Sequence, residues 1–331
     1  MRVMVSCGEP SGDLYAGALA RALVEREPGL DVFGFGGPLC REAGVRMVGE
    51  YTGLSVTGLT EALRVLPATW RMMAMQRDVA LALPIFPFEE ALYQQAGVPV
   101  QFLGHPLVDR VPAPSADPAE AARHQAALRA ALGLDATRPV VALLPGSRHN
   151  ELSRLVPVIA AALPAIRDAV PGVQFVVACA PGRRPDEFAA ILAAAPGTPV
   201  VQHRTDDVLA AADVVVTASG TATAQTALHE RPMVVIYKLS PLTYALGKPL
   251  VTVDTYAMAN LIAGDRIVPE LIQAGCTPEA VAAETVSFLL DRERWTRTHA
   301  RLAETRAKLG PPGSTARVAE AVLAVARRPR V

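Results

Sequence analysis

Short β-branched apolar runs alternate along the chain with Ala- and Leu-rich segments of helical spacing. Strand–helix alternation favours parallel sheets with right-handed crossovers, and near-continuous apolar runs suit strands buried on both faces. The clearest helical stripe lies within residues 151–170 and comprises Leu152, Leu155, Val156, Ile159, Leu163 and Ile166. The sequence therefore predicts an α/β fold with strands at 2–6, 31–36, 98–104, 139–145, 173–180, 212–218 and 232–237.

A Pro-rich stretch divides this pattern, and 331 residues are enough for two domains. We predict a first Rossmann-like domain over residues 1–112 and a linker over 113–138. A second Rossmann-like domain with terminal helices is predicted over 139–331.

Charge and cysteine content exclude several classes of protein. Lys plus Arg and Asp plus Glu both number 32, which argues against a nucleic-acid binder. Ten basic residues against three Glu in 292–331 form a basic tail, for which a solvated helix face is the simpler interpretation and an anionic membrane or acidic partner the alternative. Four scattered cysteines form no CxxC pair, so we expect neither disulfides nor a metal site.

No signal peptide and no run of 18 uncharged apolar residues is evident. The sequence therefore predicts a cytoplasmic protein that could lie on a membrane surface without crossing it.

The first candidate site follows the strand at 2–6, where CGEPSGD leads into a helix. Backbone N–H groups at such a helix start favour an anion or a polar sugar group. Ser11 and Asp13 are suitable N-cap residues, and Glu9 lies at the carboxyl end of the strand, where open α/β sheets bind ligands. A purely structural turn is the alternative.

Two similar turns occur in the second domain. In PGSRHNEL, Gly146 and Ser147 permit close backbone approach, Arg148 suits a diphosphate, and Glu151 could orient that Arg or cap the helix. A surface Arg after a turn is the alternative, and the spacing is not that of a P-loop.

The third turn, in ASGTATAQTAL, places small donors at another helix start: Ser219, Gly220 and Thr221. Gln225 follows one turn later. An acidic residue there could bind ribose hydroxyls, whereas Gln does so only through neutral hydrogen bonds.

Two further features each have a functional and a structural interpretation. His105 ends a strand and could act as a base, or could cap or pack at a hinge. Residues 59–75 are apolar and Met-rich, which suits acyl chains or a membrane interface, although core packing is the commoner reason.

Eight segments in order resemble the lipid-A-disaccharide synthase family: GEPSGD (8–13), FGGPLCREAG (35–44), LSVTGLTEAL (54–63), FPFEEALYQQAGVPVQFLGHPLVD (86–109), LLPGSRHNEL (143–152), ASGTATAQTAL (218–228), PMVVIYKLSPLTY (232–244) and NLIAGDRIVPELIQ (260–273). The resemblance implies a GT-B glycosyltransferase with two Rossmann-like domains facing a cleft and no metal or other cofactor. It implies transfer of 2,3-diacylglucosamine from UDP to 2,3-diacylglucosamine 1-phosphate at the inner-membrane surface.

The resemblance also assigns roles. It places the donor on the second domain, with Gly146, Ser147, Arg148, Glu151, Ser219, Gly220, Thr221, Gln225 and Asn260 as binding residues. We expect Ser11 and Gly12 to join them from the facing side. The oligomeric state stays open.

Two departures from the family pattern matter. Between Arg77 and Phe86 the family carries a long stretch that includes the carboxylate assigned as catalytic base, and only DVALALPI stands there in this chain. We therefore predict an internal deletion near residues 78–85 that shortens the first domain. Glu9, Asp13 or His105 would have to serve as base. The second departure is Gln225, where the family has Glu.

Three hypotheses follow: an active synthase, a degenerate relative that binds a UDP-sugar or lipid without transfer, or another UDP-sugar enzyme of this fold, such as an epimerase. A Rossmann dehydrogenase is disfavoured, because neither glycine turn has the GxGxxG pattern followed by an acidic residue.

Overall fold

The computed structural model of the chain describes residues 1–7, 10–50, 79–240 and 255–328, and its contacts separate them into two units. The first unit holds the described residues of Met1–Arg110 and Leu309–Val331. The second holds those of Val111–Tyr244 and Thr252–Lys308.

The described strands are β1 (Arg2–Ser6), β2 (Asp31–Gly36), β3 (Arg46–Glu50), β4 (Val140–Leu144), β5 (Gln174–Cys179), β6 (Val200–Gln202), β7 (Val214–Ala218), β8 (Met233–Tyr237) and β9 (Glu270–Ile272). The described α-helices are α1 (Pro10–Arg26), α2 (Pro38–Glu42), α3 (Pro87–Gln95), α4 (Pro118–Ala131), α5 (His149–Ala169), α6 (Ala189–Ala194), α7 (Thr205–Ala211), α8 (Thr221–Leu228), α9 (Met258–Ala263), α10 (Pro278–Leu290), α11 (Arg292–Lys308) and α12 (Ser314–Ala326). Short 3-10 turns occur at Pro106–Asp109, Pro185–Phe188 and Gln273–Gly275.

In the first unit, β1, β2 and β3 form a parallel sheet in that order. Its core joins α1 to the sheet and to α12, through residues such as Leu23, Val32 and Leu323. The C-terminal helix therefore packs in the first unit, although the sequence places residues 309–331 with the second domain.

Asp109 fixes the start of α12. Its carboxylate accepts hydrogen bonds from the backbone N–H groups of Gly313, Ser314 and Thr315 and from the Ser314 hydroxyl, at 2.6 to 3.1 Å. Burial alone raises the pKa of Asp109, but these hydrogen bonds outweigh it and hold the pKa below the usual range.

In the second unit, six parallel strands lie in the order β6-β5-β4-β7-β8-β9. Every residue of β4 and β7 is buried. Separate hydrophobic clusters, one around Val141 and Leu163 and the other around Val140 and Leu302, account for this. Strands buried on both faces, as the apolar runs predict, are confirmed here.

α4 also belongs to this unit, although it lies within the predicted linker. The Arg129 guanidinium donates to the Ala211 carbonyl at 2.9 Å and pairs with Asp213 at 2.8 Å. These contacts tie α4 to the end of α7 and to the residue that precedes β7.

The strand predictions fail in two ways. The run 98–104 forms only an isolated bridge between Val100 and Ala82. Conversely, β3, β6 and β9 are strands that no apolar run predicts. Among the described strands, all three lie at the edges of their sheets, where a continuous apolar sequence is not required.

Much of the basic tail is used within the chain. Arg294 pairs with Glu284, Arg301 lies 3.4 Å from Asp265, and Lys308 donates to the Ala263 carbonyl. These contacts favour a structural role for α11 over a free cationic surface. Across the described ranges, no helix combines the length and apolarity needed to cross a membrane.

Candidate functional site

The second unit contains a topological switch point between β4 and β7. These strands are parallel neighbours, yet the chain leaves β4 toward β5 on one side and later returns through β7 on the other. Ligands of open α/β sheets bind at the carboxyl ends of the strands at such a point. Both glycine turns of the second unit, at 145–148 and 219–220, lie there.

The turn after β4 is held by Glu151. Gly146 has φ of +118°, and a Cβ there would lie 2.5 Å from the Glu151 carboxylate. That carboxylate accepts the N–H groups of Ser147 at 3.0 Å and Arg148 at 3.2 Å, and its other oxygen lies 3.4 Å from the Arg148 guanidinium. Glu151 therefore both caps α5 and orients Arg148, which covers both roles that the sequence suggests.

The turn after β7 presents a helix start. Gly220 has φ of +136°, and none of the residues that the structure describes comes within 4 Å of where its Cβ would be. The N–H groups of Thr221 and Ala222 cannot be satisfied inside α8. A glycine that allows this backbone, beside donors that the helix itself cannot satisfy, suits an anionic oxygen.

Ser219 is less available than its position in the sequence suggests. Its N–H donates to the Ile236 carbonyl at 3.1 Å, and its hydroxyl donates to the Tyr256 carbonyl at 3.0 Å. Both donors are therefore engaged in holding the turn against the segment before α9.

Asn260 is fully occupied. It is buried, its amide donates to the Val268 carbonyl and to the Glu270 carboxylate, and its oxygen accepts the N–H groups of Ile267 and Val268. Glu270 in turn accepts the N–H of Tyr256 at 2.8 Å. Asn260 thus shapes this part of the edge, and direct contact with a nucleotide would cost it existing hydrogen bonds.

Gln225 lies on α8, partly exposed, one turn after the helix start. Its side-chain amide donates to Asp206 at 2.8 Å, and His229 lies 2.9 Å from the same carboxylate oxygen. Neither Asp206 nor His229 is evident from the sequence, because 19 and 23 residues separate them from their partners.

In the first unit, Asp13 is an anchor for α2. It is 1% exposed and accepts the backbone N–H groups of Gly37, Leu39 and Cys40 at 2.7, 2.9 and 3.1 Å. Burial raises the pKa of Asp13, but its hydrogen bonds with Cys40, Leu39 and Gly37 outweigh it and lower the pKa. α1 begins at Pro10, so Asp13 caps α2 and not its own helix.

Cys7 and Cys40 lie beside Asp13, and one ligand atom from each of the three residues falls within 4.8 Å of the others. Burial raises the pKa of both thiols, that of Cys40 to about 12. With neutral thiols and a carboxylate already bonded to three amides, the donor set suits packing better than a cation.

His105 is completely buried, and burial lowers its pKa to about 4. Its Nδ1 accepts the Leu107 N–H at 3.1 Å, so the neutral ring carries its proton on Nε2. Within the described part of the chain, Nε2 has no partner. A ring in this state donates a proton and does not accept one, which argues against a role as base.

Of the remaining predicted site residues, the structure describes two. Ser11 and Gly12 lie in the first turn of α1. Glu9 and the Met-rich segment 59–75 lie outside the described residues.

Solved structures share this architecture. MurG of Acinetobacter baumannii aligns with a TM-score of 0.55 at 14% identity, covering 98% of this chain and 99% of that one. The spinosyn rhamnosyltransferase SpnG also gives 0.55 at 14% identity, covering 97% and 100%. A putative UDP-N-acetylglucosamine 2-epimerase from Listeria monocytogenes gives 0.52 at 13% identity, covering 97% and 95%, so the fold by itself does not select the activity.

Two parallel-sheet units, with glycine turns at a switch point, define an α/β protein of the GT-B fold. The family model described as lipid-A-disaccharide synthetase matches residues 3–79 and 69–325. The chain belongs to the lipid-A-disaccharide synthase family, glycosyltransferases of lipid A biosynthesis, which confirms the resemblance seen in the sequence.

Curated relatives align with this chain along nearly their full length. The lipid-A-disaccharide synthase of Geobacter metallireducens is 38% identical, covering 97% of this chain and 96% of the relative. That of Anaeromyxobacter sp. (strain K) is 37% identical, covering 98% of each.

The same alignments bear on the internal deletion. The first spans 379 positions, 48 more than the 331 residues of this chain, so the relative carries at least that many extra residues. The two family matches overlap at 69–79, beside the short interval 78–85. The alignment length agrees with an internal deletion, and the overlap of the two family matches agrees with its place near residues 78–85.

Proposed function

We propose that the chain joins UDP-2,3-diacylglucosamine to 2,3-diacylglucosamine 1-phosphate, giving the β-1,6-linked disaccharide 1-phosphate and UDP. It would act in the cytoplasm, on the surface of the inner membrane. The observation that carries this proposal is the pair of glycine turns at the switch point of the second unit, in a chain of this family.

The donor diphosphate would meet fixed donors at this edge. Arg148 would place its guanidinium against the phosphates, and Gly220 would admit them to the N–H groups of Thr221 and Ala222. As the sugar–phosphate bond breaks, negative charge grows on the leaving UDP. Donors already held in place stabilise that charge without reorganisation, which is how such a site accelerates transfer.

Ser147 and Glu151 would support Arg148, while Ser219 and Asn260 would hold the edge in shape. The family resemblance also gives Ser11 and Gly12, in the first turn of α1, a role in donor binding. The ribose hydroxyls would lie against Gln225.

A base must take the proton of the acceptor hydroxyl as its oxygen attacks the anomeric carbon and UDP departs with inversion. Asp13 has both carboxylate oxygens engaged, and the acceptor nitrogen of His105 is already bonded. These environments favour Glu9 among the three candidates.

The test is mass spectrometry of the products after the purified chain meets both substrates. Tetra-acyl disaccharide phosphate, with one UDP per transfer, is the expected result. A folded chain that binds UDP but forms no disaccharide would instead favour the degenerate relative, and release of an epimerised donor sugar would favour the epimerase.

Arg148→Gln should reduce transfer about 100-fold, the order of magnitude for loss of a charge-stabilising donor. Arg138→Gln is the matched control, because Arg138 lies at the opposite end of β4 and pairs with Asp135 at the surface. Equal losses in both variants would contradict the assignment of Arg148.

A further inference from the structure

Gln225 stands where an acidic residue is expected beside a ribose. The neighbouring side chains determine which way its amide group is oriented. A carboxylate can only accept hydrogen bonds. The Gln225 side chain lies 2.8 Å from Asp206, so it must turn its NH₂ group toward that carboxylate. Its carbonyl oxygen then faces the other way.

That oxygen is available. Gln225 is partly exposed, and within the described ranges its carbonyl oxygen neither receives a hydrogen bond nor is buried without one. A fixed, outward-facing carbonyl can accept a hydroxyl proton in the way a carboxylate does, without carrying a charge.

A second side chain also contacts the Asp206 carboxylate. Its Oδ1 lies 2.9 Å from His229 Nε2, which must donate because the carboxylate cannot. Gln225 lies on α8, and His229, four residues later, is the C-cap of that helix with helical backbone angles, so the two side chains lie on the same side. Asp206 approaches both from the first turn of α7.

We propose that Asp206, supported by His229, is a positioning residue that sets the amide orientation of Gln225 so that its carbonyl oxygen accepts the ribose hydroxyls of the nucleotide. This inference rests on the proposed function, because it takes the nucleotide to bind at this edge. Asp206 would act through Gln225 and not on the reacting atoms.

The probes are UDP and its 2′,3′-dideoxy analogue, with binding measured by calorimetry. The unaltered chain should prefer UDP by about three- to tenfold, as expected for a net hydrogen bond. Asp206→Asn lets the amide turn over, because Asn can donate as well as accept. The preference should then fall below about twofold, with affinity for the dideoxy analogue unchanged.

Asp207→Asn is the matched control. It removes the same charge from the same helical turn, but Asp207 pairs with Arg204 at the surface, at 2.7 Å. The preference for UDP should persist in this variant.

A charge swap gives an independent test. Gln225→Glu alone places a second carboxylate against Asp206, so UDP should bind at least about threefold more weakly, by the size of a like-charge contact. Adding Asp206→Asn should restore binding, because the introduced amide can donate to the new carboxylate.

Three results would overturn the inference: an unchanged preference in Asp206→Asn, tighter UDP binding by Gln225→Glu alone, or no preference for UDP in the unaltered chain. The last would leave the proposed function standing. Failure of the unaltered chain to bind UDP at all would overturn the proposed function, and the inference with it.

Discussion

Asp13 offers a direct test of an anchoring role against a catalytic one. Its Oδ1 accepts the N–H groups of Gly37 and Cys40, and its Oδ2 accepts that of Leu39. Asp13→Asn keeps one carbonyl oxygen but turns an NH₂ group toward the Leu39 N–H. Hydrogen bonds to a charged group contribute about 1.5–3 kcal/mol each. Losing one and weakening two should therefore cost about 3 kcal/mol of local stability.

Hydrogen exchange measured by mass spectrometry on peptides covering residues 36–42 is the appropriate assay, because two units need not unfold in one step. A loss of about 3 kcal/mol corresponds to roughly 100-fold faster exchange. Asp31→Asn is the control. Asp31 pairs with Arg2 and Arg46 at the surface, where ion pairs contribute less than about 1 kcal/mol.

The pH dependence has a defined sign. Because hydrogen bonding holds the folded pKa of Asp13 below its usual value, its contribution is present above the unfolded pKa, about 3.9. It disappears as pH falls through the folded pKa. Unchanged exchange in Asp13→Asn, together with lost disaccharide formation, would refute the anchoring role and return Asp13 to the candidate bases.

Three further predictions concern other residues. Because the folded pKa of His105 is about 4, the free energy of unfolding should fall by up to about 1.4 kcal/mol per pH unit as the pH is lowered from 6.5 to 4. In urea unfolding, His105→Gln should flatten this slope, whereas His124→Gln, at an exposed position, should not. Gly220→Ala and Gly197→Ala both strain a positive φ by about 1–2 kcal/mol, yet only Gly220→Ala should weaken UDP binding in calorimetry, and equal effects would contradict the anion site. Asn260→Asp sets a carboxylate against Glu270 and should lower the free energy of unfolding by about 2–4 kcal/mol, a loss that Glu270→Gln should largely recover.

The shortened first domain could be predicted from the sequence, because only residues 78–85 stand where the family carries a long stretch. The alignment of 379 positions agrees with it. The identity of the base could not be predicted, because residue type and position do not show which side chains already accept hydrogen bonds. The structure distinguishes the candidate bases by the hydrogen bonds that their acceptor atoms already receive. Both carboxylate oxygens of Asp13 and the Nδ1 atom of His105 already accept backbone N–H groups.

The fold class, the glycine turns and the strands with a continuous apolar run, such as β4 and β7, could be predicted because each leaves a local trace in the sequence. A strand buried on both faces must be apolar throughout, and a turn with positive φ calls for glycine. Parallel strands then bring their carboxyl ends to one edge, so β4 and β7 place Arg148 and Gly220 at the same switch point.

What each polar side chain does was decided only by the tertiary structure. Asn260 and Ser219 look like ligand residues in the sequence, yet their hydrogen-bonding capacity is spent on neighbouring segments. Gln225 looks like a weakened contact, yet Asp206, 19 residues away in the chain, orients it. A residue type states how many hydrogen bonds a side chain can make. Only folding determines how many are already made, because the partners come from distant parts of the chain.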